Sequence, residues 1–258
     1  MNKGLTFIVL AGLGLNFIQC DSEPEPSINP LPLSEAPADP CEEISREMLL
    51  GQVDPAKNDA FQIVPSLWTD KSEIYLKVEV LQAFDSMATA AAQEGIELKI
   101  LSAMRTWEHQ RSIWNRKWNN PRFMGYEPLE RASKILEYSS MPGSSRHHWG
   151  TDLDLNSLEN EYFESGIGLE QYEWMQKNAA SYGFVQVYGD QLNGRTGYKE
   201  EKWHWSYWPT AQAYLACYLE IIDSASFDGF EGAEWSDSLQ IISNYVTGID
   251  ELNPTIQP

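Results

Sequence analysis

The chain has 258 residues and a formal charge of −20, from 38 acidic and 18 basic side chains. That length fits one or two domains, and 42% apolar residues with ten Trp, twelve Tyr and nine Phe exclude a wholly disordered chain, which would be poor in aromatics. The acidity argues against a nucleic-acid ligand, because a basic footprint supplies most of that affinity, and against docking on anionic lipid head groups.

The acid is concentrated at the ends. Residues 20–43 hold seven acids and residues 203–258 hold eight, with no Lys or Arg in either stretch, which accounts for fifteen of the surplus of twenty. Residues 44–202 have the charge balance of an ordinary domain.

At the N-terminus, Lys3 precedes Gly4–Ile18, fifteen residues that are apolar apart from Thr6 and Asn16. That run is shorter than the ~20 residues needed to span a bilayer, so residues 1–19 read as a signal peptide and the protein as exported. Cys20, directly after it, is similar to the lipidated cysteine of a bacterial lipoprotein, which places the protein on the cell envelope. Gln19 departs from the small residues usual before that cysteine, and an ordinary secretory signal with Cys20 incidental is the alternative. Residues 20–40 carry Pro24, Pro26, Pro30, Pro32, Pro37 and Pro40 among acids and small residues. That composition buries no core and reads as a tether. The folded domain is expected over 41–258. Cys41 and Cys217 form an even pair, which in an exported protein points to a disulfide, with two buried free thiols as the alternative.

Within the domain, Val80, Phe84, Met87, Ala88 and Ala91 recur at helical spacing, so a helix is expected over 72–94 with Gly95 as its stop. Residues 96–101 alternate as a strand. Thr106 is placed to cap a helix running to Trp118, and a further helix fits 127–138. A short strand follows at 152–155, then a helix over 169–181 ending near Gly183. Strands are expected at 184–187 and 202–207, with Pro209 in the first turn of a helix to Ile222. Residues 239–246 read as partly helical. Helices and strands mix without a regular βαβ repeat, so the fold class is α+β: a single domain with a small, largely antiparallel sheet flanked by helices.

There are four histidines, His109, His147, His148 and His204. Two sit in the densest polar motifs of the chain, Ser145-Arg146-His147-His148-Trp149-Gly150-Thr151-Asp152-Leu153-Asp154 and Glu201-Lys202-Trp203-His204-Trp205. Two imidazoles and a carboxylate can fill a zinc shell that keeps one position open. A single strand histidine is more often a hydrogen-bonded core residue, so spacing alone is moderate support.

The pattern Ser-x-His-x-x-Gly-x-Asp-x-Asp, followed by Glu-x-x-His, resembles the zinc D-alanyl-D-alanine carboxypeptidases of the VanY type, whose wider group includes lysostaphin-like and hedgehog-like metal sites. Leu101-Ser102-Ala103-Met104-Arg105-Thr106 with Gln110 is similar to a third family block, and the three blocks stand in family order over 96–208. The resemblance implies a hedgehog/D,D-peptidase-like fold, a zinc cofactor and His147, Asp154 and His204 as ligands. It implies Glu201 as general base and Arg105 as the cation beside the scissile carbonyl. Ser145, Gln110, Ser102 and Trp203 are expected around the substrate, a peptidoglycan stem peptide that loses its terminal D-Ala. L,D-carboxypeptidase or endopeptidase action on the same site is the nearest alternative, and a non-catalytic zinc-containing cell-wall binder is the alternative of another class.

Two points stay open in the sequence. Asp152 stands where many members have Ala and shares a strand face with Asp154, so it either competes as a ligand or orients one. Glu201 and His204 are three apart and would face opposite sides of a flat strand, so Glu201 belongs to a preceding loop or a bulge realigns it. His148 is expected to point away from His147, and His109 to be structural.

Overall fold

The computed structural model describes Met1 and residues 40–251 apart from 193. The signal peptide 1–19, Cys20 and nearly all of the tether lie outside the described residues. The compact unit that carries the elements below starts at Asp39.

The order is α1 (Arg46–Leu49), β1 (Phe61–Ile63), β2 (Tyr75–Lys77), α2 (Val78–Gln93), β3 (Ile100–Ser102), α3 (Trp107–Trp118), α4 (Pro128–Ile135), β4 (Asp152–Leu155), α5 (Gly166–Asn178), β5 (Phe184–Gln186), β6 (His204–Tyr207) and α6 (Trp208–Ile221), joined by short 3₁₀ turns. The strands β1 and β2 pair with each other, and β3-β4-β6-β5 form a four-stranded, wholly antiparallel sheet. The protein is α+β, as expected. Among the described residues, no helix is long and apolar enough to cross a membrane.

Alternation along β4 and β6 positions everything that follows. Successive strand side chains point to opposite faces. Leu153 and Leu155 on β4 and Trp205 and Tyr207 on β6 therefore share one face. Asp152 and Asp154 with His204 and Ser206 share the other. The register pairs Asp152 with Ser206, Leu153 with Trp205 and Asp154 with His204, so like meets like on both faces. The apolar face packs on α2 through Val80, Phe84, Met87, Ala88 and Ala91, with Trp174 and Met175 from α5. Phe84 is fully buried and meets Trp68 and Phe184 edge-on at 5.9 and 6.4 Å; its loss would cost about 3–5 kcal/mol.

A second apolar cluster joins Trp114 and Trp118 of α3 to Ile135, Val185, Phe227, Phe230 and Ile241. The 223–251 segment therefore covers the outer side of α3, and Ile241–Val246 is a π-helical turn. A third cluster packs α1 and Trp149 against α6. There Cys41 and Cys217 form a disulfide, with Cα atoms 5.3 Å apart.

The long helix starts at Val78 rather than Ser72, because Tyr75–Lys77 are drawn out as β2 to pair with Phe61–Ile63. Strand β3 keeps only the end of the alternating 96–101 run, where Ser102 meets Asp154. Thr106 caps α3 as expected, its Oγ1 accepting from the His109 N–H at 3.2 Å.

Candidate metal and catalytic centre

His147 lies in the 3₁₀ turn Arg146–Trp149, not on extended backbone. Gly150 ends that turn at φ +70°, a left-handed conformation suited to glycine, and a Cβ there would meet the Phe61 ring at 2.5 Å. The chain then enters β4. The turn still sends neighbouring histidines apart. His148 Nδ1–H donates to the Arg105 carbonyl at 2.6 Å while Nε2 accepts from the Gly143 N–H at 3.0 Å. Burial lowers its pKa to about 3, so it is a neutral structural residue.

His147, Asp154 and His204 converge, with ligand atoms all within 4.8 Å of one another. His147 Nδ1–H donates to the Ala103 carbonyl at 2.8 Å, which leaves Nε2 bare, buried and without a hydrogen-bond partner. That nitrogen is 3.4 Å from Asp154 Oδ1, and His204 Nδ1 is 3.1 Å from the same oxygen. Donor atoms ~2.0–2.2 Å from a tetrahedral ion stand about 3.4 Å apart. The spacing, the orphaned nitrogen and the N,N,O donor set fit a metal ion.

Asp152 resolves into the orienting role. Its Oδ2 accepts from His204 Nε2–H at 2.9 Å and from Arg146 Nε–H at 3.0 Å. Its Oδ1 accepts from Thr151 and Ser206 hydroxyls, each at 2.7 Å. Arg146 also donates to Ser206 Oγ at 2.8 Å and lies over the Trp149 ring at 4.7 Å. Tying up His204 Nε2 leaves Nδ1 turned toward Asp154. Burial opposes ionisation of Asp152, yet Arg146 and His204 outweigh it and hold the carboxyl far below the usual range. Burial likewise opposes the charge on Asp154, and His147 and His204 bring it well below. Burial disfavours the His204 imidazolium, but the two aspartates raise it to about 9 in the absence of another cation.

Glu201 sits in the turn before β6, which settles its parity with His204. Its carbonyl accepts from the His204 N–H at 3.1 Å, and its Oε2 lies 3.7 Å from His204 Nδ1. Burial raises its carboxyl to about 7, against the lowering influence of His204. The turn is pinned by Asn160, whose side chain donates to the Glu200 carbonyl at 2.7 Å and accepts from the Lys202 N–H at 3.0 Å. Arg105 follows β3, its Nη2 3.7 Å from Asp154 Oδ2.

A cavity of about 680 Å³ opens over these groups, lined by Ser102, Arg105, Ser145, His147, Asp154, Glu201, Trp203 and His204 among others. Gln110 does not line it. Its Oε1 accepts from Arg105 Nη1 at 3.0 Å and its Nε2 donates to the Ser140 carbonyl at 2.7 Å, so it holds Arg105 from behind rather than meeting a ligand directly. His109 does line the cavity, although its helical context suggested a structural residue. Sequence reasoning also missed Asn160 and Tyr188, whose ring lies 4.6 Å from that of His204. No motif marks either.

An α+β fold whose antiparallel sheet and the turns entering it bring two histidines, an aspartate and a glutamate to the floor of one cavity defines a class of candidate metal-site proteins. Within it, the chain belongs to the VanY family of D-alanyl-D-alanine carboxypeptidases, which matches residues 73–210, just over half of the chain. The Bacillus subtilis protein YodJ is 30% identical over 135 residues, covering 52% of this chain and 46% of YodJ. A D-alanyl-D-alanine carboxypeptidase of Enterococcus faecalis is 26% identical over 135 residues, covering 51% of this chain and 48% of that protein. The chain thus spans about half the length of these relatives. The solved structure of the LdcB LD-carboxypeptidase shares the fold, at 22% identity and a TM-score of 0.50, over 72% of this chain and 80% of that one.

Proposed function

We propose that the protein is a zinc-dependent D-alanyl-D-alanine carboxypeptidase that removes the terminal D-Ala of peptidoglycan stem peptides. The observation that carries this reading is the convergence of His147, Asp154 and His204 beside Glu201 in one cavity. A zinc ion held by the two histidines and Asp154 would supply a Lewis acid and a bound water of lowered pKa. Glu201, with a carboxyl near pH 7, suits a group that takes the proton from the attacking water and returns it to the leaving amine. Arg105, held by Gln110 and flanking Asp154, places a fixed cation where negative charge develops on the carbonyl oxygen. Asp152 fixes the tautomer of His204, and Ser102, Ser145 and Trp203 shape the cavity wall. The proposal includes export through residues 1–19 and anchoring at Cys20, which the mass of the mature N-terminal peptide from envelope fractions tests.

The decisive experiment incubates purified muropeptides with the protein, with and without a chelator, and reads the products by mass spectrometry. Loss of one D-Ala that stops on chelation is expected. A different released fragment points to L,D-carboxypeptidase or endopeptidase action, and no change points to a binder. Glu201→Gln is expected to lower turnover by about 10²–10⁴-fold while zinc stays bound; undiminished turnover in that variant would remove Glu201 from the mechanism.

A further inference from the structure

Arg105 lies in neither sheet nor helix. It falls between Ser102, the last residue of β3, and Trp107, the first of α3. Its guanidinium makes one hydrogen bond, from Nη1 to Gln110 at 3.0 Å; Nη2 stands 3.7 Å from Asp154, and Nε is buried without a partner. Where the charge sits therefore depends on where the main chain is held. The Met104 N–H donates to the Tyr75 carbonyl at 2.9 Å. Three further bonds on residues 103–105 end on two neighbouring histidines. His147 Nδ1–H donates to the Ala103 carbonyl at 2.8 Å, the Arg105 N–H donates to the His147 carbonyl at 3.2 Å, and His148 Nδ1–H donates to the Arg105 carbonyl at 2.6 Å.

The two histidines differ in what they face. His147 turns Nε2 to the candidate metal centre, whereas both nitrogens of His148 end on backbone groups. A carbonyl only accepts and an N–H only donates, so the His148 tautomer is fixed, with Nε2 accepting from the Gly143 N–H at 3.0 Å. No bond rotates between the two nitrogens of an imidazole, so the ring is a rigid strut between the Gly143 loop and Arg105. Its far end is anchored, because the Gly143 carbonyl accepts from the Tyr218 hydroxyl of α6 at 2.8 Å. Residues 49–51, which precede the stretch matched by the family, close its flank. The Leu49 carbonyl accepts from Trp149 Nε1–H at 3.2 Å. A Cβ on Gly143 would lie 3.3 Å from Leu50 Cδ2, and a Cβ on Gly51 would fall on His148 Nδ1. The Gly51 carbonyl accepts from the Trp107 N–H at 2.7 Å, so Gly51 touches the chain on both sides of Arg105-Thr106. Satisfying one buried carbonyl needs only a donor; a ring held at both poles and backed by glycine fixes a position.

We propose that His148 is a positioning residue for Arg105: its ring sets the distance from the Gly143 loop to the Arg105 carbonyl, and so the place of the guanidinium beside Asp154. This deepens the carboxypeptidase reading and rests on it. A cation stabilises developing charge only where that charge forms, and a misplacement of about 1 Å can cost on the order of 10²-fold in rate. Loss of the strut at Arg105 therefore lowers kcat and leaves zinc bound.

The two poles can be cut separately in the full-length, zinc-loaded protein. His148→Asn puts an amide donor where Nδ1 stands and keeps the Arg105 end alone. His148→Gln puts an amide oxygen where Nε2 stands and keeps the Gly143 end alone. Each variant strands one buried backbone group, so the two should unfold at similar denaturant concentrations. On acetyl-L-Lys-D-Ala-D-Ala, kcat is expected to fall at least about tenfold in His148→Gln with KM within about twofold, and to stay within about threefold of the wild type in His148→Asn. Crystal structures should show the guanidinium displaced by about 1 Å or more in His148→Gln and in place in His148→Asn. Equal losses of kcat in the two variants, loss of zinc from His148→Gln in a chelator competition, or an unmoved guanidinium in His148→Gln overturns the assignment. Absence of turnover in the wild type would instead count against the carboxypeptidase reading, and the guanidinium positions in the two variants then decide the role of His148.

Discussion

Asp152 and Asp154 stand two residues apart on one face of one strand, yet they differ in how their oxygens are satisfied. Asp152 is fully enclosed and accepts four hydrogen bonds of 2.7–3.0 Å, from Arg146, His204, Thr151 and Ser206. Asp154 faces the cavity, with its cationic and imidazole neighbours at 3.1, 3.4 and 3.7 Å. Four short bonds saturate a carboxylate. The two longer imidazole contacts, from His147 and His204, converge on Oδ1 and leave room for an ion at their centre. Position on the strand therefore does not decide which aspartate is left open to a metal ion; the number of donors around it does.

The largest test of that contrast removes each carboxylate in turn. Asp154→Ala is expected to lose zinc altogether in competition with a chromophoric chelator, a greater loss than the 10–100-fold typical of outer-shell partners. Asp152→Ala should fall within that 10–100-fold range and should also lower stability by about 3–5 kcal/mol, because it strands a buried Arg146 charge. The Arg146→Met, Asp152→Ala double variant separates the two effects. Denaturant unfolding should recover most of the stability, while zinc affinity stays weakened, since His204 Nε2 still lacks its acceptor. Unchanged zinc affinity in Asp152→Ala would break the orienting role.

Much of this was legible in the sequence. The alternation Asp-Leu-Asp-Leu against His-Trp-Ser-Tyr fixes two polar and two apolar strand faces, because a period of two leaves no other arrangement. Thr106 caps and Pro209 starts their helices through local hydrogen bonding and a fixed φ, and both are readable residue by residue. What was not legible depends on long-range pairing. Residues 72–77 follow the helical pattern well enough to extend α2, but the backbone groups of Tyr75–Lys77 are claimed by β1, whose partner is not implied by any local rule. The choice between Asp152 and Asp154 needed the positions of Arg146, Thr151 and Ser206. Gln110 was placed at the substrate by the family block, whereas its two bonds direct it to Arg105 and the Ser140 carbonyl. Asn160 reaches the Glu200 carbonyl across forty residues of chain and leaves no signature.

Glu201 sharpens the comparison by adding a third carboxylate with a third fate. It is buried like Asp152, but its nearest cation, His204, stands 3.7 Å away, so burial prevails and raises it to about 7 from an ordinary 4.5. Below pH 4.5 folded and unfolded chains both hold the proton, and the residue costs nothing. From 4.5 to 7 the fold retains a proton that the unfolded chain releases, so stability falls as pH rises. Above 7 the full difference applies, on the order of 3 kcal/mol. In chelator-treated protein, Glu201→Gln should therefore match the wild type at pH 4.5 and exceed it at pH 8 by about that amount in denaturant unfolding. The difference between the two proteins is the measurement, because His204, raised to about 9, loses its own stabilisation over the same alkaline range in both.

The smallest expected effect concerns the cation that flanks Asp154. Arg105 is 3.7 Å from that carboxylate and is aimed by Gln110, which in turn is anchored on the Ser140 carbonyl. A hydrogen bond to a charged group contributes about 1.5–3 kcal/mol, but Gln110→Ala leaves Arg105 and its charge in place, so the lower end applies, about tenfold in rate. The split between constants tells the two roles of Gln110 apart. Acting through Arg105, its loss lowers kcat and leaves KM nearly constant, because the guanidinium is misplaced chiefly for the charge that develops during reaction. Direct contact with substrate would instead raise KM with kcat held. Gln110→Glu retains an acceptor for Arg105 Nη1 and should recover most of the rate under the first role.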